Sequence, residues 1–185
     1  MLRVCWHVIF KTRGDTALFA RTKLMTFTTA SLCDHYSGSH YLQIAEPLLA
    51  CYGANATFSG IITTIKTFED NVLVRATLAE SVQNRVLVID GGGSHRCALI
   101  DHELATLAVN NGWQGILVYG CIRQSALLAN LPLGIRALHT HPLQSHQKGT
   151  GDRDLLVSFA GVNFKKDNFL YADMDGIIVS DTMLS

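Results

Sequence analysis

No apolar run in this chain approaches the ~20 residues that a membrane-crossing helix needs, so no membrane span is expected. Prolines number only three and glycines fifteen in 185 residues, which excludes collagen-like and low-complexity chains. No CxxC pair is present, and the five cysteines, Cys5, Cys33, Cys51, Cys97 and Cys121, are odd in number. That usage predicts buried free thiols in a reducing compartment, and so a cytoplasmic protein. Neither sign of charge dominates: 15 basic residues stand against 15 acidic ones, which argues against a general nucleic-acid binder. A secretory leader is not expected either. Val4–Phe10 is apolar but short, Lys11 and Arg13 follow at once, and no small-residue cleavage site comes after them. An organellar transit peptide is the weaker alternative. What is there is a chain with 48% hydrophobic and 16% charged residues, enough to bury a core. The length suits one domain, at about one per 150 residues.

The charge balance hides an asymmetry. Residues 1–25 carry five of the basic residues (Arg3, Lys11, Arg13, Arg21, Lys23) and one acid, Asp15. Ten basic and fourteen acidic residues remain from position 26 onward, a net charge of −4. Such a body favours basic partners and repels RNA backbones. Met25 reads as a second beginning, because patterned sequence starts there. Residues 1–24 are therefore expected to be an N-terminal extension, and residues 25–185 a single domain.

After Met25, short strands alternate with short helices. Ile61–Phe68 alternates as a strand. Asn71 is placed to cap a helix reaching about Glu80, with Val72, Ala76 and Ala79 on one stripe. Arg85–Asp90 reads as a strand buried on both faces, halted by Gly91-Gly92-Gly93. The clearest helix starts at an Asp101 N-cap, presents Leu104, Leu107, Ala108 and Asn111 on one face, and stops at Gly112. Ile116–Tyr119 and Ile135–His139 read as strands around a short helix near Ser125–Ala129. His141–Asp152 reads as a loop. Three short strands, Leu155–Phe159, Phe169–Ala172 and Ile177–Ser180, close the chain. The pattern is mixed α/β with a β-rich tail, and a doubly wound sheet fits it poorly.

Several residue groups could carry chemistry. Asp90-Gly91-Gly92-Gly93-Ser94 follows a strand, so its amides could face an anion, or the glycines could simply make a tight turn. It is neither a P-loop nor GxGxxG. Asp101-His102-Glu103-Leu104 opens a helix, whose free amides could hold a carboxylate unless Asp101 caps them itself. Arg123 in Gly120-Cys121-Ile122-Arg123-Gln124 could clamp a carboxylate, or pair with a structural acid. His139 and His141 share one face of a strand, with His146 nearby, but no acidic or cysteine ligand stands at zinc spacing. Asp173 and Asp175 could hold a hard cation or form an ordinary turn. Cys121 lacks a base placed beside it by spacing.

The middle and end of the chain resemble a known family. The resemblance runs through Arg85–Ser94, Glu103-Leu104-Ala105, Ala108–Gly115, Tyr119–Gln124, Leu133–Leu138, Phe159–Phe164 and Tyr171–Ile178. These motifs, in this order, look like the family of RraA-type ribonuclease regulators and 4-hydroxy-4-methyl-2-oxoglutarate aldolases, over roughly residues 25–181. Leu32-Cys33-Asp34 and Phe68-Glu69-Asp70-Asn71 look like the regulator branch. The resemblance implies a swivelling β/β/α domain, with mixed sheets and short helices, assembled as a homotrimer. It implies two functions. Aldolase members cleave 4-hydroxy-4-methyl-2-oxoglutarate or decarboxylate oxaloacetate, using a divalent metal such as Mg2+ or Mn2+. Regulator members bind the endoribonuclease RNase E and slow RNA decay.

The aldolase pattern implied by the resemblance has Gly-Asp at the helix start and Arg-Asp after the later strand, that last Asp holding the metal. This chain has Asp101-His102 and Arg123-Gln124. An amide is a weaker ligand than a carboxylate for a hard cation, and Asp101 places negative charge where a dianionic substrate would dock. The expectation is therefore an RNase E inhibitor without catalytic residues, cofactor or metal. Its vestigial anion pocket is expected to be lined by Gly91, Gly92, Gly93, Asp101, His102, Glu103, Leu104 and Arg123. The expected partner is the C-terminal scaffold and RNA-binding region of RNase E, with associated DEAD-box RNA helicases, and no direct nucleic-acid or membrane contact.

Overall fold

A computed structural model describes residues 27–185; the expected extension over residues 1–24, with Cys5, lies outside the described residues. The elements in chain order are α1 (Thr29–Tyr36), β1 (Leu42–Ile44), β2 (Ala50–Cys51), β3 (Phe58–Lys66), α2 (Val72–Leu78), β4 (Arg85–Asp90), β5 (Ala98–Ile100), α3 (His102–Asn110), β6 (Trp113–Ile122), α4 (Ser125–Leu128), β7 (Gly134–Thr140), β8 (Asp152–Arg153), β9 (Val157–Phe159), β10 (Val162–Phe164), β11 (Phe169–Ala172) and β12 (Ile177–Ser180). Eight strands form one path, β1-β12-β11-β3-β4-β6-β7-β2, with β5 beside β6 and β8 beside β3. β3, β4, β6 and β7 run parallel, while β1, β2, β11 and β12 pair antiparallel. This is the mixed α/β fold that the sequence pattern implies, with a large mixed sheet and few short helices.

The central strand shows why the run Val86–Ile89 is apolar throughout. Leu87 and Ile89 pack on one side against Val74 and Leu78 of α2, Leu104 and Ala108 of α3 and Leu128 of α4. Val86 and Val88 face the other side, where Phe58, Leu117 and the β9–β10 hairpin residues Val157, Phe159, Val162 and Phe164 fill the second core. A strand covered on both faces needs no polar alternation. Helix α3 follows the expected rules: Asp101 Oδ1 accepts the Leu104 N–H at 3.0 Å, and Gly112 turns left-handed at φ +85°.

Helix α2 departs from expectation. Its buried residues are Val74, Thr77 and Leu78, while Val72, Ala76 and Ala79 face solvent. Asn71 does not cap it: the Asn71 side chain donates to Leu99 O, and Asp70 Oδ1 accepts the Val72 N–H instead. Strands β1, β2, β5, β8 and β10 and helix α1 are additions to the sequence pattern. No helix among the described residues is long and apolar enough to cross a membrane.

Helix α1 is fixed to the body by Asp173. The Asp173 carboxylate accepts the Thr29 N–H and the Thr29 hydroxyl, each at 2.6 Å, together with the Asp175 and Gly176 amides of its own turn. The ordinary-turn reading of Asp173 and Asp175 is therefore the observed one. Burial alone would push the Asp173 carboxyl up, but these hydrogen bonds outweigh it and hold the group below its ordinary value. A group so lowered stabilises the fold above its unfolded pKa of about 3.9, and that contribution is lost as pH falls through the lower folded value. Below about pH 4 the melting temperature of the native chain is expected to fall more steeply than that of Asp173→Asn, itself already less stable at pH 7. Parallel acid limbs in the two melting curves would show that the clamp contributes nothing.

Candidate functional site

The site is built where β5 and β6 end beside the start of α3. The Arg123 N–H donates to Ile100 O at 2.9 Å, which brings the end of β6 against the residue before Asp101. Gln124 then adopts a left-handed conformation (φ 58°, ψ 39°), uncommon for a side chain that is not Gly, Asn or Asp. That turn sends its side chain back onto α3, where Gln124 Oε1 accepts the His102 N–H at 3.0 Å. Asp101 Oδ1 holds the Leu104 N–H, and Asp101 Oδ2 meets Arg123 Nη2 at 3.2 Å. Asp101 is buried, and the Arg123 side chain is mostly so. Two amides at the helix start are thus engaged by the chain's own oxygens, and the guanidinium faces the chain's own carboxylate. Arg123 Nε is buried without a partner.

The structure therefore joins Asp101, His102, Arg123 and Gln124 by direct bonds. The other residues of the expected pocket stand differently. Leu104 is fully buried in the core, and the Glu103 carboxylate reaches out to Arg75 at 2.8 Å. The Gly91 and Gly93 N–H groups both donate to Tyr119 O at 3.1 Å, and the Gly92 N–H donates to Asp90 Oδ1 at 3.0 Å. Three amides that could have faced an anion are used in closing a tight turn. Gly92 and Gly93 have φ of +67°, and a Cβ on Gly91 would stand 2.5 Å from Leu99 Cδ1, so the glycines serve the turn and the strand crossing.

The resemblance implies a metal held at position 124. Gln124 presents a neutral amide, and its oxygen already serves the His102 N–H. Among the described residues, no group of three or more His, Cys, Asp or Glu side chains is placed to hold a metal ion. The described residues of one chain do not fit Mg2+ or Mn2+ at this position. His139 and His141 do not converge on a common point either. The His139 ring lies 4.9 Å from that of His95, and His141 Nδ1 accepts the Leu143 N–H. Cys121 is buried, and burial pushes its thiol up, the wrong direction for a nucleophile. Cys97 is buried likewise, Cys33 and Cys51 are half-buried, and all four are free thiols. Sequence reading missed the part played by the Gln124 side chain. Its signal is backbone conformation rather than residue type.

The sequence profile of the RraA-like family, Aldolase/RraA, matches residues 29–179. The chain belongs to this family. A Methylococcus capsulatus protein provisionally named 4-hydroxy-4-methyl-2-oxoglutarate aldolase is 62% identical over 160 residues, covering 86% of this chain and 99% of that protein. The structure of the RNA-processing inhibitor RraA from Thermus thermophilis is 35% identical, with a TM-score of 0.83, covering 87% of this chain and 96% of that one. A Geobacillus kaustophilus structure, described as an S-adenosylmethionine:2-dimethylmenaquinone methyltransferase, is 41% identical with a TM-score of 0.82, covering 85% and 97%.

Proposed function

We propose that this chain is a regulator of RNA decay that binds an RNase E-type endoribonuclease and slows it, acting as a homotrimer in the cytoplasm. The observation that carries this reading is the self-engaged site: Gln124 on the His102 amide, and Asp101 on the Leu104 amide and on Arg123. A site so arranged has its carboxylate-binding groups already paired within the chain. Likeness to the Thermus RNA-processing inhibitor supports it independently. The acidic balance from residue 26 onward suits contact with the basic RNA-binding and scaffold region of the nuclease, and with its associated DEAD-box helicases, rather than with RNA itself. Cleavage of a short RNA by the full-length nuclease of the same organism is expected to slow with dose at fixed salt. It is expected not to slow when the nuclease lacks its C-terminal region. No slowing at any dose would remove the reading.

A second reading is a 4-hydroxy-4-methyl-2-oxoglutarate aldolase or oxaloacetate decarboxylase, dependent on Mg2+ or Mn2+. The name of the 62%-identical relative favours it, and does so more directly than any relative's name favours the regulator. Against it stands the amide at position 124. It requires pyruvate formation that depends on added metal and is lost in Arg123→Ala, measured on the same preparation.

A further inference from the structure

We propose that Arg136 is the receptor of a second anion site, one that takes a carboxylate from outside the chain's own described residues. Six arginines are described. Five of them, Arg75, Arg85, Arg96, Arg123 and Arg153, reach a carboxylate within the fold. Arg136 has no such partner among the described residues, yet it is only 6% exposed, more deeply buried than the rest. A buried guanidinium without a counter-charge is strongly disfavoured, so its charge needs an account. Main-chain carbonyls meet only part of the need. Arg136 Nη2 donates to Asp173 O and, at 3.5 Å, to Ala56 O, while Nε is buried with no acceptor at all. A guanidinium offers five N–H donors in a fork that matches a carboxylate.

The nearby acid is withheld. Asp173 turns its carbonyl to Arg136, while its carboxylate is engaged by four donors, from Thr29, Asp175 and Gly176. Swinging the carboxylate to Arg136 would release α1. In-register neighbours across the sheet are Leu117 and Cys51, neither of which carries charge. The site nonetheless lies just beneath the surface. Both accepting carbonyls belong to loops whose adjoining residues, Asn55 and Met174, are exposed. It is separate from the Arg123 group: Leu117, the register partner of Arg136, precedes Ile122 by five residues, roughly 17 Å along the strand.

A carboxylate could arrive free in solution or on an acidic side chain of a second copy of this chain, and the test separates the two. In an Arg123→Ala background, which removes the guanidinium of the site at the start of α3, the melting temperature is followed in sodium acetate against sodium chloride at equal ionic strength. Molar mass is measured by sedimentation. A free ligand is expected to raise Tm by about 5 °C or more at a hundredfold excess over its Kd, an effect absent once Arg136→Gln is added. A side chain from a second copy is expected to give no acetate response, and a lower molar mass in Arg136→Gln. If neither reading moves in a folded Arg136→Gln variant, the proposal is overturned. Should that variant not fold, Arg136→Lys keeps the charge and loses the fork, and parent-like behaviour of it in both measurements overturns the proposal equally.

Discussion

Replacing Asp101 by glycine, His102 by aspartate and Gln124 by aspartate in one chain is expected to raise magnesium-dependent pyruvate release from oxaloacetate by about a hundredfold or more. The gain comes from the internal bonds that the three substitutions remove. Without Gln124 Oε1 the amide at position 102 is free, and without the Asp101 carboxylate Arg123 loses its internal partner. Both groups then face whatever anion enters. Glycine at an N-cap costs only a few tenths of a kcal/mol, so α3 survives the loss of Asp101. Gln124→Asp alone is expected to gain little, because Asp101 would still neutralise Arg123 and repel a dianion. The check is a coupled pyruvate assay with and without magnesium, beside a melting curve for each variant. A folded triple variant with no metal-dependent gain would show that these positions do not separate the two branches of the family.

The legibility of this site in the sequence divides along physical lines. Residue types at 101, 102, 123 and 124 are plain text, and the Asp101 cap follows from local rules. What the text does not carry is the left-handed turn at Gln124, which decides that its amide folds back rather than projecting outward. The same division runs through the fold. β4 was legible because Val86–Ile89 is apolar on two faces at once, and α3 because Asp101 and Gly112 mark both ends. α2 shows the opposite case, because seven residues make a short stripe: the buried face includes the polar Thr77, and the exposed one includes Val72. α1, with the sequence TASLCDHY, has little amphipathic signal of its own. Its anchor is Asp173, 144 residues away, which no local window can reveal. β2 and β5 have two and three residues, too few for any period to show.

The second large effect concerns the floor on which the parallel strands lie. Gly115 of β6 and Gly134 of β7 are register partners, and the Phe58 ring rests across both. A Cβ on Gly134 would stand 2.1 Å from Phe58 Cδ1, and one on Gly115 would stand 2.4 Å from Phe58 Cε2. No real contact is that short, so the ring or the strand must move. Gly134→Ala is expected to cost about 3 kcal/mol, or a fall in Tm of roughly 6–12 °C for a domain of this size. Phe58→Ala is expected to cost about 3–5 kcal/mol by emptying the same space. The two losses should not add. With the ring gone, the methyl of Gly134→Ala occupies vacated volume, and the double variant should resemble Phe58→Ala within about 0.5 kcal/mol. Denaturant melts of the four chains read this directly, and full additivity would mean that the ring and the glycine pair are independent. The contact matters beyond stability because Arg123 directly follows the far end of β6. A shift of β6 against β7 would move the guanidinium relative to Asp101, so Gly134→Ala is expected to disturb the Arg123–Asp101 pair without touching either residue.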